Sequence, residues 1–522
     1  MVTRIVEARS RRAAAIFLVA ASVFLLVPFA PVTAPAGELT PLQALGERLF
    51  FDPNLSNPPG QACAECHDPE AGWGGPDSAV NAAESVYEGA VHVRSGNRKP
   101  PTSAYAGFGP LLHACGDPAG MSAFGCGCLD GGMGCACGPG MAAGGGMGGG
   151  EMGGGMAGCA CGSGCACAGT TCSCGPGCSC AACTLSPFAG GLFYDGRASG
   201  WTLGDPLAEQ AMGPFLNPLE QASPNAKLVC LRVRASSYAS LFEEAWGPGS
   251  IDCVKDPGGT YERIARAIAA FERSSAVNPF DSKFDAFWRA VEARRSLPRP
   301  MVPPVQNING MNWTRFAGFG LDNAELKGLA VFNTKGHCST CHPLRPGPGG
   351  TPPLFTDFRY HNLGMPANPL NPFYGAPTAT NPDREGWVDG GLGSFLSRTA
   401  GAVDLDGNPR DYASLAPAAM GRHRTPTLRN VDLRPYPEFV KAYGHNGYFK
   451  SLPEIVHFYN FRDVLPLCDA GGSPGIDCWP APEVAENVDP ESLGNLGLEP
   501  QEGMALIAFL KTLSDGYVAA GP

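Results

Sequence analysis

Two pentapeptides decide how this chain is read: Cys63-Ala64-Glu65-Cys66-His67 and Cys338-Ser339-Thr340-Cys341-His342. In a Cys-x-x-Cys-His element both thiols can add to the vinyl groups of a haem, and the adjacent histidine lands under the iron. Zinc is the rival for such a spacing. It is disfavoured because both elements stand apart from the cysteine-rich part of the chain and each follows a helical pattern. Two covalent haem c groups are therefore expected, attached at Cys63, Cys66, Cys338 and Cys341, with His67 and His342 as axial ligands.

Upstream of the first element, Thr40-Pro41-Leu42-Gln43 reads as a helix start: Thr as N-cap, Pro in the first turn, Gln placed to close a capping box. Leu42, Leu45 and Leu49 recur at helical spacing, and the helix ends in Gly46-Glu47-Arg48-Leu49-Phe50. Gly328-Leu329-Ala330-Val331-Phe332 repeats that ending ahead of the second pentapeptide, which predicts two related domains. Tyr261 to Ser275, with Ile264, Ile268 and Phe271 on one face, and Asp281 to Arg295 read as amphipathic helices. Ser296 to Gly318, rich in Pro and Asn, reads as a crossing segment. Leu506, Phe509, Leu510 and Leu513 form a further apolar stripe, and no run of alternating strands occurs. The expected class is mainly α: two cytochrome c-like haem domains with long loops, residues 37–280 and 281–522, the last helix free to pack on the N-terminal domain.

Residues 111–186 break this pattern, holding 14 of the 22 Cys and 6 of the 13 Met in a background of Gly and Ala. Such a stretch cannot bury enough apolar surface to form a core and is read as a disordered insertion in the first domain. Its Cys-x-Cys pairs and Met suit Cu or Zn; disulfides, or no fixed partner, are the other readings. Cys230 with Cys253, and Cys468 with Cys478, are placed for local loop-closing disulfides.

At the N-terminus, Arg4, Arg9, Arg11 and Arg12 precede a nearly continuous apolar run from Ala13 to Ala30, and Ala34-Pro35-Ala36 offers small residues after it. Residues 1–36 read as a signal peptide leading to the periplasm. Only if uncleaved would this run anchor the chain in a membrane. A net charge of −11 argues against a nucleic-acid partner and suits attraction of a basic redox protein.

Further segments stand in order between and after the pentapeptides. They are Gly96-Asn97-Arg98-Lys99-Pro100-Pro101-Thr102, Gly191-Leu192-Phe193-Tyr194-Asp195-Gly196-Arg197-Ala198, Leu207-Ala208-Glu209-Gln210 with Asn217-Pro218-Leu219-Glu220, then Arg424-Thr425-Pro426-Thr427-Leu428-Arg429-Asn430 and His445-Asn446-Gly447. Together they resemble the bacterial dihaem cytochrome c peroxidase and MauG family over nearly all of residues 40–515 outside the insertion. The resemblance implies an oxidoreductase of the cytochrome-c peroxidase type, reducing hydrogen peroxide to water with electrons from a small c-type cytochrome or cupredoxin. A MauG-like enzyme that uses peroxide to oxidise residues of a partner protein is the alternative. A non-catalytic electron carrier or metal-responsive sensor is a third.

The resemblance also implies roles at single positions. Glu220 is expected to move a proton between the peroxide oxygens and Gln210 to orient peroxide, both at the first haem. The far ligand of the second haem falls on Tyr459, where related peroxidases carry Met and the MauG-like branch carries Tyr. His457 as ligand, or a plain core aromatic at Tyr459, are the competing readings. His92 is the candidate switch ligand of the first haem, and Tyr194 the candidate interhaem relay where the family has Trp. The family's interhaem calcium uses an Asn at the position of Lys99, and the segment Arg434 to Pro437 is longer here; both depart from the family pattern, so calcium stays an open cofactor with no ligand named. His113, His337, His361 and His423 are expected at the surface or in supporting roles.

Overall fold

A computed structural model describes residues 38–114, 165–168, 171–174, 186–297 and 302–518, which belong to one contact unit. Among these residues the helices are α1 (Pro41–Phe50), α2 (Ser78–Ala82), α3 (Pro206–Leu216), α4 (Ala226–Ala235), α5 (Ala239–Trp246), α6 (Pro257–Glu272), α7 (Lys283–Arg295), α8 (Asn323–Asn333), α9 (Gly391–Leu396), α10 (Ala416–Ala419), α11 (Leu452–Phe461) and α12 (Pro500–Lys511). The strands are short antiparallel pairs of two to four residues. The fold is mainly α, as expected.

Local rules place the helices that matter. Thr40 and Gln43 close a capping box at α1; Asp322 and Glu325 do the same at α8. Asp256 caps α6, which begins at Pro257 and stops at Glu272, earlier at both ends than its apolar stripe suggested. Ser282 and Asp285 box the start of α7.

The two largest hydrophobic cores among the described residues follow. In one, Leu45, Leu49 and Phe50 of α1 meet Ile264, Ile268 and Phe271 of α6. In the other, Leu326, Leu329 and Phe332 of α8 meet Leu506, Phe509 and Leu510 of α12. Each fully buried Phe or Leu contributes about 1.5–3 kcal/mol, so these helix pairs hold the frame on which the pentapeptides sit.

The last helix therefore packs within the C-terminal core rather than on the N-terminal half. The contact with that half is made just beyond it, where Asp515 accepts from the Tyr105 hydroxyl at 2.8 Å. Arg429 strengthens the same seam. It donates to both oxygens of Asp285 at 2.8 and 2.9 Å while lying over the rings of Tyr105 and Phe280 at 4.7 and 4.5 Å.

The predicted disulfides Cys230–Cys253 and Cys468–Cys478 are both formed. The cysteine-rich insertion lies outside the described residues, apart from the backbone of β2 (Cys165–Ala168) and β3 (Thr171–Cys174). Its two ends are joined by the pairing of β1 (His113–Ala114) with β4 (Phe188–Ala189). The predicted signal segment also lies outside the described residues. Among those that are described, no helix is long and apolar enough to cross a membrane.

Candidate active site

Each pentapeptide forms a short 3-10 turn, Cys63–Glu65 and Cys338–Thr340, at the wall of its own cavity. All four thiols are free. His67 Nδ1 lies 3.3 Å from the Trp73 carbonyl and His342 Nδ1 lies 2.7 Å from that of Phe355. Only an N–H can make such a contact, so each ring keeps Nε2 as a lone-pair nitrogen. Burial pushes both histidines down, His67 to about 4, which keeps them neutral. A thiol pair, a bare imidazole nitrogen and an apolar wall are what a covalent haem needs, and both cavities supply them.

The first cavity is lined by Glu220, Gln210 and Arg197 as well as by Cys63, Cys66 and His67. Burial raises the Glu220 carboxyl above the usual carboxylate range, and the charge of Arg197 and a hydrogen bond from Asn217 oppose this. The Asn217 amide donates to Glu220 Oε1 at 2.7 Å, which fixes the carboxyl while leaving its second oxygen uncommitted to that bond. Gln210 is set by α3. Its neighbour Glu209 turns away to accept from the backbone N–H groups of Gly200, Thr202 and Leu203 at 2.6–2.8 Å. The stretch between Tyr194 and α3 is thereby tied to the helix that carries Gln210.

The second cavity is lined by Cys338, Cys341, His342 and Tyr459. His457 stands elsewhere, packed on Phe461 and Trp479 at 4.7 and 5.8 Å between ring centroids. About two turns into α11, the register thus turns Tyr459 and not His457 toward the second cavity. Met365, absent from the sequence reading, also lines this cavity and is buried.

Tyr194 lines both cavities and is 8% exposed. The residue after it, Asp195, accepts from Arg98 at 2.7 Å, and Arg98 also donates to both oxygens of Asp389 at 2.7 Å. This clamp fixes the segment that carries Tyr194 against the C-terminal half. The ring of His445 lies 6.3 Å from that of Tyr194 and is stacked on His423 at 3.5 Å. Burial and the neighbouring His423 push His445 down to about 4, although Asp389 and Glu483 face it.

Several sequence expectations meet a different surrounding. His92 is exposed, 3.6 Å from Glu88, and is not part of the first cavity's lining. Of the histidines expected at the surface or in supporting roles, His337 is exposed at the rim of the second cavity and His361 is buried 3.0 Å from Asp357, while His113 is buried and His423 lines the second cavity. Arg197 and Asn217 were missed as partners of Glu220, although both sit inside the quoted motifs. At the seam the residues do not fit a calcium ion. Lys99 lines both cavities, and the Nζ of Lys441 donates to the carbonyls of Ala71, Asn430 and Leu433 at 2.7–2.9 Å.

Comparison with known proteins agrees with this geometry. The sequence pattern of the family described as di-haem cytochrome c peroxidase matches residues 41–293. The methylamine utilization protein MauG of Paracoccus denitrificans is 29% identical over 480 residues, covering 91% of this chain and 88% of that one. The cytochrome-c peroxidase IdrP1 of a Pseudomonas species is 28% identical over 252 residues, 46% of this chain and 53% of that protein. The crystal structure of the diheme peroxidase BthA from Burkholderia thailandensis superposes with a TM-score of 0.57 at 24% identity, covering 92% of this chain and 87% of that one, a likeness of fold. With two thiol pairs and two lone-pair histidines each walling a cavity, and one tyrosine between them, residues 41–293 carry the pattern of the di-haem cytochrome c peroxidase family, and the chain resembles MauG over most of its length.

Proposed function

We propose that this protein is a periplasmic dihaem peroxidase that reduces hydrogen peroxide to water, taking electrons from a small c-type cytochrome or a cupredoxin. The observation that carries the reading is the first cavity, where Glu220, its carboxyl raised by burial, shares a wall with Cys63, Cys66 and His67. When bound, the two haems supply the iron at which peroxide is reduced and a store for the second oxidising equivalent.

Reduction of one peroxide consumes two protons and two electrons, and its O–O bond breaks fastest when one oxygen leaves as water. That requires a proton to move from the near oxygen to the far one. A carboxyl moved toward neutrality can accept and return that proton at similar cost. Glu220, held by Asn217, is the group that moves it. Gln210 has both a donor and an acceptor with which to orient the peroxide. Tyr194, walled by both cavities, is the side chain through which charge passes between them.

A second reading rests on Tyr459. Where an anionic phenolate faces the second haem, higher oxidation states are favoured, which suits peroxide-driven oxidation of residues on a partner protein. Stopped-flow mixing of the fully oxidised dihaem protein with one equivalent of peroxide, with and without reduced cytochrome c, separates the two. Rapid repeated cytochrome oxidation supports the peroxidase; a long-lived oxidised state that uses cytochrome poorly supports the partner-protein oxidant. In either case Glu220→Gln should slow the peroxide reaction by about 10²–10⁴ with both haems retained. An unchanged rate would remove Glu220 from the mechanism.

A further inference from the structure

At the wall of the second cavity, where backbone of the N-terminal half reaches it, the chain carries an ammonium group in a cage of backbone oxygens. Lys441 Nζ donates to the carbonyl of Ala71 at 2.9 Å and to those of Asn430 and Leu433 at 2.7 Å each. An ammonium has three N–H groups and no acceptor, so three carbonyls satisfy it fully. Ala71 ends the turn Pro69–Ala71 just after His67, whereas Asn430 and Leu433 follow the segment that runs beside the second cavity. One cation therefore holds a strand of backbone from each half.

The cage is shaped to that cation. Gly72 has a left-handed φ of +71°, and a Cβ there would come within 2.9 Å of Lys441 Nζ and 3.0 Å of the Asn430 carbonyl. Backbone carbonyls are also what calcium takes as ligands. Calcium normally adds carboxylates to them, but the oxygens bonded to Lys441 Nζ are all carbonyls. A second cationic side chain, Lys99, stands close by. It lines both cavities and donates to the Pro100 carbonyl at 2.8 Å. Two ammonium groups bring the charge of one divalent ion, and they would repel such an ion. Burial and the charge of Lys99 pull Lys441 down to about 7. The three carbonyls resist that, because a neutral amine has two N–H groups and would turn its lone pair on the third oxygen.

We infer that Lys441, assisted by Lys99, is the protein's own interhaem cation, taking the place of a calcium ion and making the seam between the haem cavities independent of bound metal. Lys441 is thus a positioning residue: it sets where the backbone next to His67 lies relative to the second cavity. The inference rests on the dihaem reading, which the haem content of the purified protein tests separately.

The experiment uses the holoprotein. Calcium is measured by elemental analysis after treatment with EGTA, and the reduction potentials of both haems and the peroxide rate are then recorded with and without millimolar CaCl2. The wild type should hold no stoichiometric calcium and respond to neither chelator nor calcium. Lys441→Gly empties the cage but leaves its carbonyls; it should lose about tenfold in peroxide rate in EGTA, shift at least one haem potential, and recover both when calcium is added. Lys441→Met fills the space without charge and should show the same losses with no recovery. One calcium per chain that survives in the wild type, or wild-type activity that falls in EGTA, would overturn the inference. So would variants that load both haems and keep wild-type potentials in EGTA. If Lys441→Gly fails to load haem, the wild-type calcium content and Lys441→Met still decide the matter.

Discussion

The two haem-bearing halves share a frame and differ in what closes over it. In α1, Gly46 lies so near α6 that a Cβ would come 1.9 Å from the Ala267 carbonyl oxygen and 2.8 Å from Phe271 Cβ. In α8, Gly328 meets α12 in the same way, 1.9 Å from the Ala505 oxygen and 2.8 Å from Phe509 Cβ. Helices that cross this closely do so only where one side chain is a hydrogen atom. The repeated Gly-x-x-x-Phe is thus one packing solution used twice, glycine at the crossing and phenylalanine in the core. Above the frames the halves part: Glu220 and Gln210 face the first cavity, whereas Tyr459 and Met365 face the second. The frame carries the attachment elements, and the side chains facing each cavity are what differ.

If the frames are equivalent, damage to them should be equivalent too. Gly46→Ala and Gly328→Ala each force a methyl group against a backbone oxygen, and overpacking of this kind costs about 1–3 kcal/mol or more. Both should lower the denaturation midpoint of the holoprotein by similar amounts. A large loss from one with none from the other would mean that the two helix crossings are not the same structure.

The lids should respond differently. With Tyr459 as far ligand, Tyr459→Met exchanges an oxygen donor for a thioether and should raise the potential of the second haem by on the order of 0.1 V or more, within the ~0.8 V span that axial ligands command. Spectroelectrochemical titration checks this. Met365→Leu is the control, since Met365 reaches the same cavity from a different loop. A shift in the control and none in Tyr459→Met would transfer the ligand role to Met365.

How much of this was legible in the sequence follows from distance along the chain. The capping boxes, the haem attachment elements and both disulfides depend on residues that lie close together, so spacing alone exposed them. Glu220 and Tyr459 were reachable because motifs carry them, and the register of α3 and α11 then turned Gln210 and Tyr459 inward. The seam was not legible. Arg98 finds Asp389, and Lys441 finds Ala71, across about 290 and 370 residues and through loops whose paths no periodicity encodes. His92 shows the converse: its spacing approximates a ligand position, while in this structure its side chain is exposed beside Glu88.

The seam is also where the comparison between halves can be tested most finely, because Tyr194 belongs to both lids. Burial holds its phenol above the ordinary range, with Arg98 and Arg424 opposing, so at neutral pH it keeps its proton. Charge that passes through a protonated phenol displaces that proton, and something nearby must take it. His445, pushed down to about 4 and therefore neutral, has its ring 6.3 Å away, and its Nε2 lies within 4 Å of Asp389 and Glu483, which would stabilise an imidazolium. Phenylalanine cannot release such a proton and is harder to oxidise. Tyr194→Phe should therefore slow electron exchange between the haems by about tenfold, ~1.4 kcal/mol of barrier, while the first reaction with peroxide proceeds at its normal rate. Rapid-scan absorbance after one equivalent of peroxide resolves the two steps. Equal slowing of both would place Tyr194 in the peroxide pocket. No slowing of either would mean that charge crosses the seam by another route, with Tyr194 serving only as its wall.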